Sequence, residues 1–337
     1  MKGLAAGIVA AGMLAAGQPQ VGVVEVYGVR RIPAEKIRKV LGVSPGDPLP
    51  RSKGEAEERI EGIDGVVRAQ LEAWCCEQGK AVLYVGVEER GAAHFELRPA
   101  PADESVTLPG EVMEAYGDFA AALARATAEG DLEEDLTRGH SLMQNVACRV
   151  AQQRLEALAE LHEKLLLRAA TEAADPEVRA IAAYAAGYAR DKQAAAEALQ
   201  AALRDPEPGV RRNAVRALKA IAYLALTKAG AGLRVQPTWL VEMLNSVVLS
   251  DRLEAVQALS MYVERGDEGA AAQIRERALD SLLEMARWQH LPHALPAWWL
   301  LGKLAGLPEE EMQRAWREGE RERVLARIEK QMRGRRR

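Results

Sequence analysis

Asp175-Pro176-Glu177-Val178-Arg179 returns thirty residues later as Asp205-Pro206-Glu207, with Val210-Arg211 close behind. The apolar positions Val178, Ala182, Ala185 and Ala189 map onto Val210, Ala214, Ala217 and Ile221, thirty-two residues on. A third copy, Arg252-Leu253-Glu254-Ala255-Val256-Gln257-Ala258-Leu259, repeats Arg211-Arg212-Asn213-Ala214-Val215-Arg216-Ala217-Leu218 at forty-one residues. The stretch from Lys228 to Pro237 accounts for the longer offset. Each recurring element has a physical reason. Asp before Pro supplies an N-cap and then the residue best suited to the first helical position. The apolar stripe needs a neighbour to bury it, so single repeats must stack.

Working outward, the chain reads as helix after helix from about residue 143. The Asp-Pro and Val-Arg pairs in register resemble HEAT and HEAT-like repeats, over about half the chain. The resemblance implies an armadillo-like α-solenoid whose helical surface binds a protein partner. Asp175, Arg179, Asp205, Arg211 and Arg252 recur with the repeat and read as structural positions, each Arg reaching a loop Asp of an adjacent repeat. Arg212, Arg216 and Lys219 recur less regularly and are the candidates for a partner-binding surface. Trp298 to Leu307 makes a further apolar helix. Glu309-Glu310-Glu311 opens a charged helix to about Lys330, a polar cap on the stack.

Upstream, Val112, Tyr116, Phe119 and Leu123 mark an amphipathic helix ended by Gly130, followed by an acidic loop from Asp131 to Gly139. Pro99, Pro101 and Pro109 mark a linker over 91–110. Residues 18–90 have mixed periodicity. Val24 and Val26 alternate before Gly28, Pro33 opens a helix through Ile37, Val40 and Leu41, and Ala56, Ile60 and Ile63 line a second. Alternation from Val67 to Cys75 and from Ala81 to Val87 predicts a hairpin, with Cys75 inward and Cys76 outward.

The resulting β-α-α-β-β order resembles the POTRA domain of outer-membrane barrel assembly and two-partner secretion proteins. Val24-Glu25-Val26-Tyr27-Gly28, Gly46-Asp47 and Val85-Gly86-Val87-Glu88-Glu89 carry that likeness. It implies binding of partner chains, partly by adding a strand to the sheet edge. The fold class expected is therefore multidomain: an α/β domain at 18–90, the linker, and an all-α repeat domain at 111–337.

Lys2, the apolar run Leu4–Ala16 and small residues before Gln18 read as a signal peptide at 1–17. The run is too short to span a bilayer, which takes about 20 apolar residues. The expectation is an exported protein of the periplasm or cell envelope. Net charge is −4, with no bulk basicity asking for nucleic acid; the basic tail Arg333, Arg335, Arg336 and Arg337 reads as solvated. Three cysteines make no disulfide framework, although Cys148 could pair with Cys75 or Cys76.

His290 and His293 flank Pro292 without the three or four converging ligands of a metal site. Ser141, in Gly139-His140-Ser141, lacks a nucleophile elbow and reads as a helix cap. No metal, cofactor or catalytic set emerges. The functional expectation is a non-catalytic protein-interaction scaffold. An accessory factor of outer-membrane protein assembly or secretion, acting through residues 18–90, is the alternative. An enzyme would instead show a carboxylate or His buried in the groove with a strongly perturbed pKa.

Overall fold

In the computed structural model, which describes residues 19–334 apart from 78 and 228–231, the chain divides into two units at Arg90/Gly91. The proposed signal peptide and the last three arginines lie outside the described residues.

The first unit runs β1 (Val21–Tyr27), α1 (Ala34–Leu41), α2 (Lys53–Glu61), β2 (Val66–Glu77) and β3 (Lys80–Glu89). The sheet order is β1-β3-β2; β1 is parallel and β2 antiparallel to the central β3. Ile37, Leu41, Ala56 and Ile60 of the helices pack on Val24, Ala69, Leu71, Leu83, Val85 and Val87. This is the small mixed sheet that the alternating and helical periods require. Ser52 caps α2 by accepting the Glu55 N–H. Gly28 sits at φ 87°, where a Cβ would come within 2.1 Å of the Val87 carbonyl oxygen, so only glycine fits. Glu89 then fixes the loop after β1: its carboxylate accepts the N–H groups of Arg30 (2.6 Å), Arg31 (2.9 Å) and Ile32 (3.2 Å). Burial alone would raise its pKa, but these backbone donors hold it below the usual value.

Two cysteine expectations are corrected here. The inward alternation of β2 stops at Leu71; Ala73, Cys75 and Cys76 are all exposed. The disulfide joins Cys75 to Cys76, and Cys148 is the leftover thiol, buried.

The second unit begins with the Pro-rich stretch, which differs from a free linker. The Arg98 N–H donates to the Arg204 carbonyl, and its guanidinium to Asp205 and to the Thr171 carbonyl, both at 2.7 Å. Asp103 accepts the Ala174 N–H through its backbone and Arg168 through its side chain. The elements that follow are α3 (Gly110–Glu129), β4 (Glu134–Asp135), β5 (Leu142–Met143), α4 (Val146–Glu172), α5 (Pro176–Ala186), α6 (Lys192–Ala202), α7 (Pro208–Ala225), α8 (Thr238–Met243) and α9 (Leu249–Glu264). Then come α10 (Glu268–Gln273), one π turn (Ile274–Ala278), α11 (Leu279–Arg287), α12 (Leu291–Ala305), α13 (Glu309–Arg317) and α14 (Arg321–Gly334).

Helices α5, α7, α9 and α12 pack in series, one on the next. Helix α6 lies against α4 and α7, and α8 and α10 against α9. The apolar repeat positions Val178, Ala182, Ala185, Val210, Ala214, Ala217 and Ile221 are all buried between them. Small Ala side chains keep these helices close and cost no rotamer entropy. The charged C-terminal helix is two helices, not one, because Gly319 turns the chain at φ 73° between α13 and α14. Ser141 is not a cap: it precedes β5, and α4 is capped by Asn145, whose side-chain Oδ1 accepts the Cys148 N–H.

Candidate functional site

Two polar systems run through the helix series. The first is a ladder of buried arginines. Arg179 donates from Nε and Nη2 to the two carboxylate oxygens of Asp205, at 2.8 and 3.0 Å, and from Nη1 to the carbonyls of Ala173 and Ala174. Arg211 repeats the arrangement one repeat on, with Asp251 as its carboxylate and the carbonyls of Asp205 and Pro206 in place of 173 and 174. Arg252 donates to the Ser246 carbonyl and to Glu284. Each guanidinium thus satisfies loop carbonyls of its own repeat and a carboxylate of the next. A bidentate fork does this with fixed geometry, which a lysine could not.

Asp175 and Asp205, alike in sequence, do different work. Asp175 caps α5 by accepting the Glu177 N–H. Asp205 does not cap α7, which starts two residues later on Glu207-Pro208. Its carboxylate is fully buried and holds Arg179, Arg98 and the Glu207 N–H together. Burial would raise its pKa; Arg179 above all, with Glu207 and Arg98, holds it below the usual value.

The second system lies where α3 and the β4–β5 segment meet α5 and α7. Phe119 stacks on Tyr184 at 4.7 Å between ring centroids, and Tyr116 meets Tyr184 edge-on. Gln152, fully buried, donates to the Ser141 carbonyl and to Tyr184 Oη, and accepts the Met143 N–H. Arg216 lies over the Phe119 and Tyr184 rings, and its Nη2 donates to Glu134. Asn213 donates to Tyr116 Oη and to the Ala180 carbonyl.

The three candidate partner contacts therefore separate. Arg216 is taken up inside the unit. Arg212 is exposed and Lys219 half-buried, and neither has a hydrogen bond or ion pair among the described residues. Both act electrostatically on Glu254 of α9, which is likewise without a hydrogen bond among those residues. Its pKa is raised by burial, a rise that Lys219, Arg212 and Arg216 partly offset. Sequence reasoning missed Glu254 and Glu134, whose positions depend on contacts between distant segments, and Arg98, which sits in the Pro-rich stretch.

Other sites offer less. His140 and Ser141 are buried; among the described residues His140 Nε2 and Ser141 Oγ have no hydrogen-bond partner, the nearest carboxylate to Nε2 being Glu156 at 3.6 Å, so no nucleophile–base hydrogen bond joins them. Burial pushes the His140 pKa down to about 4. His290 and His293 are buried at the start of α12 with ring centroids 4.3 Å apart; burial and the neighbouring His290 push His293 down to about 4. Among the described residues, no cluster of three or more His, Cys, Asp or Glu could hold a metal ion, and no helix is long and apolar enough to cross a membrane. A cavity of about 270 Å³ lies at the ends of α7 and α9, lined by Ala222, Val235, Pro237, Tyr262 and Gln273. It is smaller than most small-molecule sites.

No curated protein matches the chain in sequence. Residues 163–260, which span the end of α4 through most of α9 and carry the whole arginine ladder from Arg179 to Arg252, match the family model for HEAT repeats, generally protein-interaction scaffolds and generally non-catalytic.

Proposed function

We propose that this chain is a non-catalytic interaction scaffold whose helical repeats form a solenoid presenting the α7–α9 face to a protein partner. The observation that carries the reading is the HEAT match over 163–260. The polar groups of α7 and α9 support this choice of face. Among the described residues Arg212 and Lys219 have no carboxylate at ion-pair distance, and the part-buried Glu254 of α9 interacts with the charges of both. Unpaired charge at the rim of a groove gives partner selection and rate of encounter more than affinity. In this reading the chain is exported to the periplasm or cell envelope by its N-terminal segment.

The assembly-factor alternative has one observation in its favour, the β-α-α-β-β element order of the first unit, which resembles that of POTRA domains. One observation weighs against strand addition at β2. Glu61 and Glu57 of α2 already accept the N–H groups of Ala69 (2.9 Å) and Leu71 (2.6 Å) on that edge.

The test is affinity capture from cell-envelope extract with the full chain and with an Arg212→Glu/Lys219→Glu variant, read by quantitative mass spectrometry. The scaffold reading expects a defined protein retained by the wild type and depleted at least tenfold by the variant. Retention unaffected by the variant but abolished by Pro substitution at Ala73 in β2 would replace it with the assembly-factor reading.

A further inference from the structure

The Cys75–Cys76 pair is placed where a structural disulfide would do little. Between Trp74, which pairs with Val82, and Glu77, which pairs with Lys80, β2 takes three steps while β3 takes two. The surplus residue of this bulge falls on the cysteine pair. Both cysteines are exposed, next to Trp74 at 48% exposure, and beyond the last residue of β2, Leu71, that belongs to the helix-covered core.

A disulfide stabilises a fold chiefly by closing a loop in the unfolded chain, and the effect grows with loop length. A bond between sequence neighbours closes no loop. It packs no core here either, since both side chains are in solvent. Exposed bonds without a structural task are those open to exchange, because attack by a thiolate requires access to sulfur.

We propose that Cys75–Cys76 is a thiol–disulfide exchange site that takes electrons from a dithiol reductant, and that its reduced form is a vicinal dithiol able to chelate a trivalent arsenical. A thiolate of the reductant attacks one Sγ, the Cys75–Cys76 bond breaks, and its electron pair leaves on the other Sγ, which takes up a proton. The second thiol of the reductant resolves the mixed disulfide. The reductant becomes a disulfide, and two electrons and two protons end on the pair. Cys148 takes no part: it is fully buried, and burial raises its thiol pKa.

The test uses the native full chain, iodoacetamide labelling and intact-mass and peptide mass spectrometry. The untreated chain is expected to take no label. After dithiothreitol it takes two, at Cys75 and Cys76, while Cys148 stays unlabelled and so reports that the fold is intact. One equivalent of phenylarsine oxide added to the reduced chain blocks both labels. Cys75→Ser and, separately, Cys76→Ser each leave one cysteine that labels without reductant. Two labels on the untreated chain would show that the bond does not form. No label after dithiothreitol would show that it does not exchange, and two labels persisting in phenylarsine oxide would refute chelation; each outcome overturns the proposal.

Discussion

Replacing Asp205 by Ala separates two aspartates that the repeat makes look equivalent. Asp205 is fully buried and is the common acceptor for Arg179, through two bonds, and Arg98, through one. Removing it leaves the Arg179 guanidinium, itself nearly fully buried, without a counter-charge. Breaking a buried pair from one side costs about 3–5 kcal/mol, because the surviving charge stays desolvated. Asp175→Ala removes only an N-cap bond, worth about 1 kcal/mol. Asp205→Asn keeps an acceptor oxygen but turns an amide donor toward a guanidinium, and should fall between the two. Because the folded pKa of Asp205 lies below its ordinary value of 3.8, the stabilisation by its charge is present above that pH and lost as pH falls through the folded pKa. The gap between wild type and Asp205→Asn should therefore hold at neutral pH and narrow below pH 3.8. Urea unfolding followed by far-UV circular dichroism measures each variant. If Asp205→Ala is no more damaging than Asp175→Ala, the assignment of Asp205 to the ladder rather than to a cap is wrong.

Arg216→Lys should lose about 2 kcal/mol in thermal unfolding, since an ammonium cannot both reach Glu134 and lie flat on Phe119 and Tyr184. Unchanged stability of the Lys variant would refute a role for the planar fork. Glu57→Ala/Glu61→Ala should speed amide hydrogen exchange at Ala69 and Leu71 and, by opening a sheet edge, promote self-association in sedimentation velocity; unchanged exchange would mean the carboxylates do not protect that edge. His140 and His293 have folded pKa values of about 4, below the ordinary 6.5, so both are held neutral. Stability should fall as pH drops from 6.5 toward 4, and a His140→Gln/His293→Gln variant should show a flatter urea midpoint over that window.

The repeat was legible because its arginines must recur at the spacing that lets each guanidinium reach the next repeat. Their carboxylates were less so. Asp205 stands beside a Pro and reads as a cap, but Pro208-Gly209 carries the helix start two residues on and frees the carboxylate for Arg179. Asp251 and Glu284 sit inside helices, with no local mark distinguishing them from surface acids. In β2, alternation placed Ala69 and Leu71 on the covered face, but the register shift between Val66 and Arg68 buries Val66 and leaves the expected Val67 exposed, and alternation did not tell how far that face is covered. The helices that bury Ala69 and Leu71 do not extend to Cys75, so its inward parity carried no burial. Gly319 was a visible break in the charged C-terminal run, and its positive φ is what divides α13 from α14.

The three cations of α7 show why a binding face cannot be chosen from one helix alone. Arg212, Arg216 and Lys219 occupy neighbouring turns and are chemically alike. What separates them comes from elsewhere in the chain: Phe119 on α3 and Glu134 on β4, 82 residues before Arg216 in the case of Glu134. Together with Tyr116, which accepts from Asn213, these groups occupy the α5 side of α7. In the proposed scaffold, the polar surface offered to a partner would begin at Arg212 and Lys219 and continue toward α9, where burial raises the Glu254 pKa and Lys219, Arg212 and Arg216 partly offset the rise. A partner that places a carboxylate beside Arg212 and Lys219 would compete with Glu254 for the same cations, and one that places a cation beside Glu254 would lower its raised pKa. Binding through this face should thus be accompanied by proton uptake in the first case and proton release in the second. Calorimetry in buffers of different ionisation enthalpy distinguishes the two, and a binding enthalpy independent of buffer would show that the protonation of Glu254 does not change on binding.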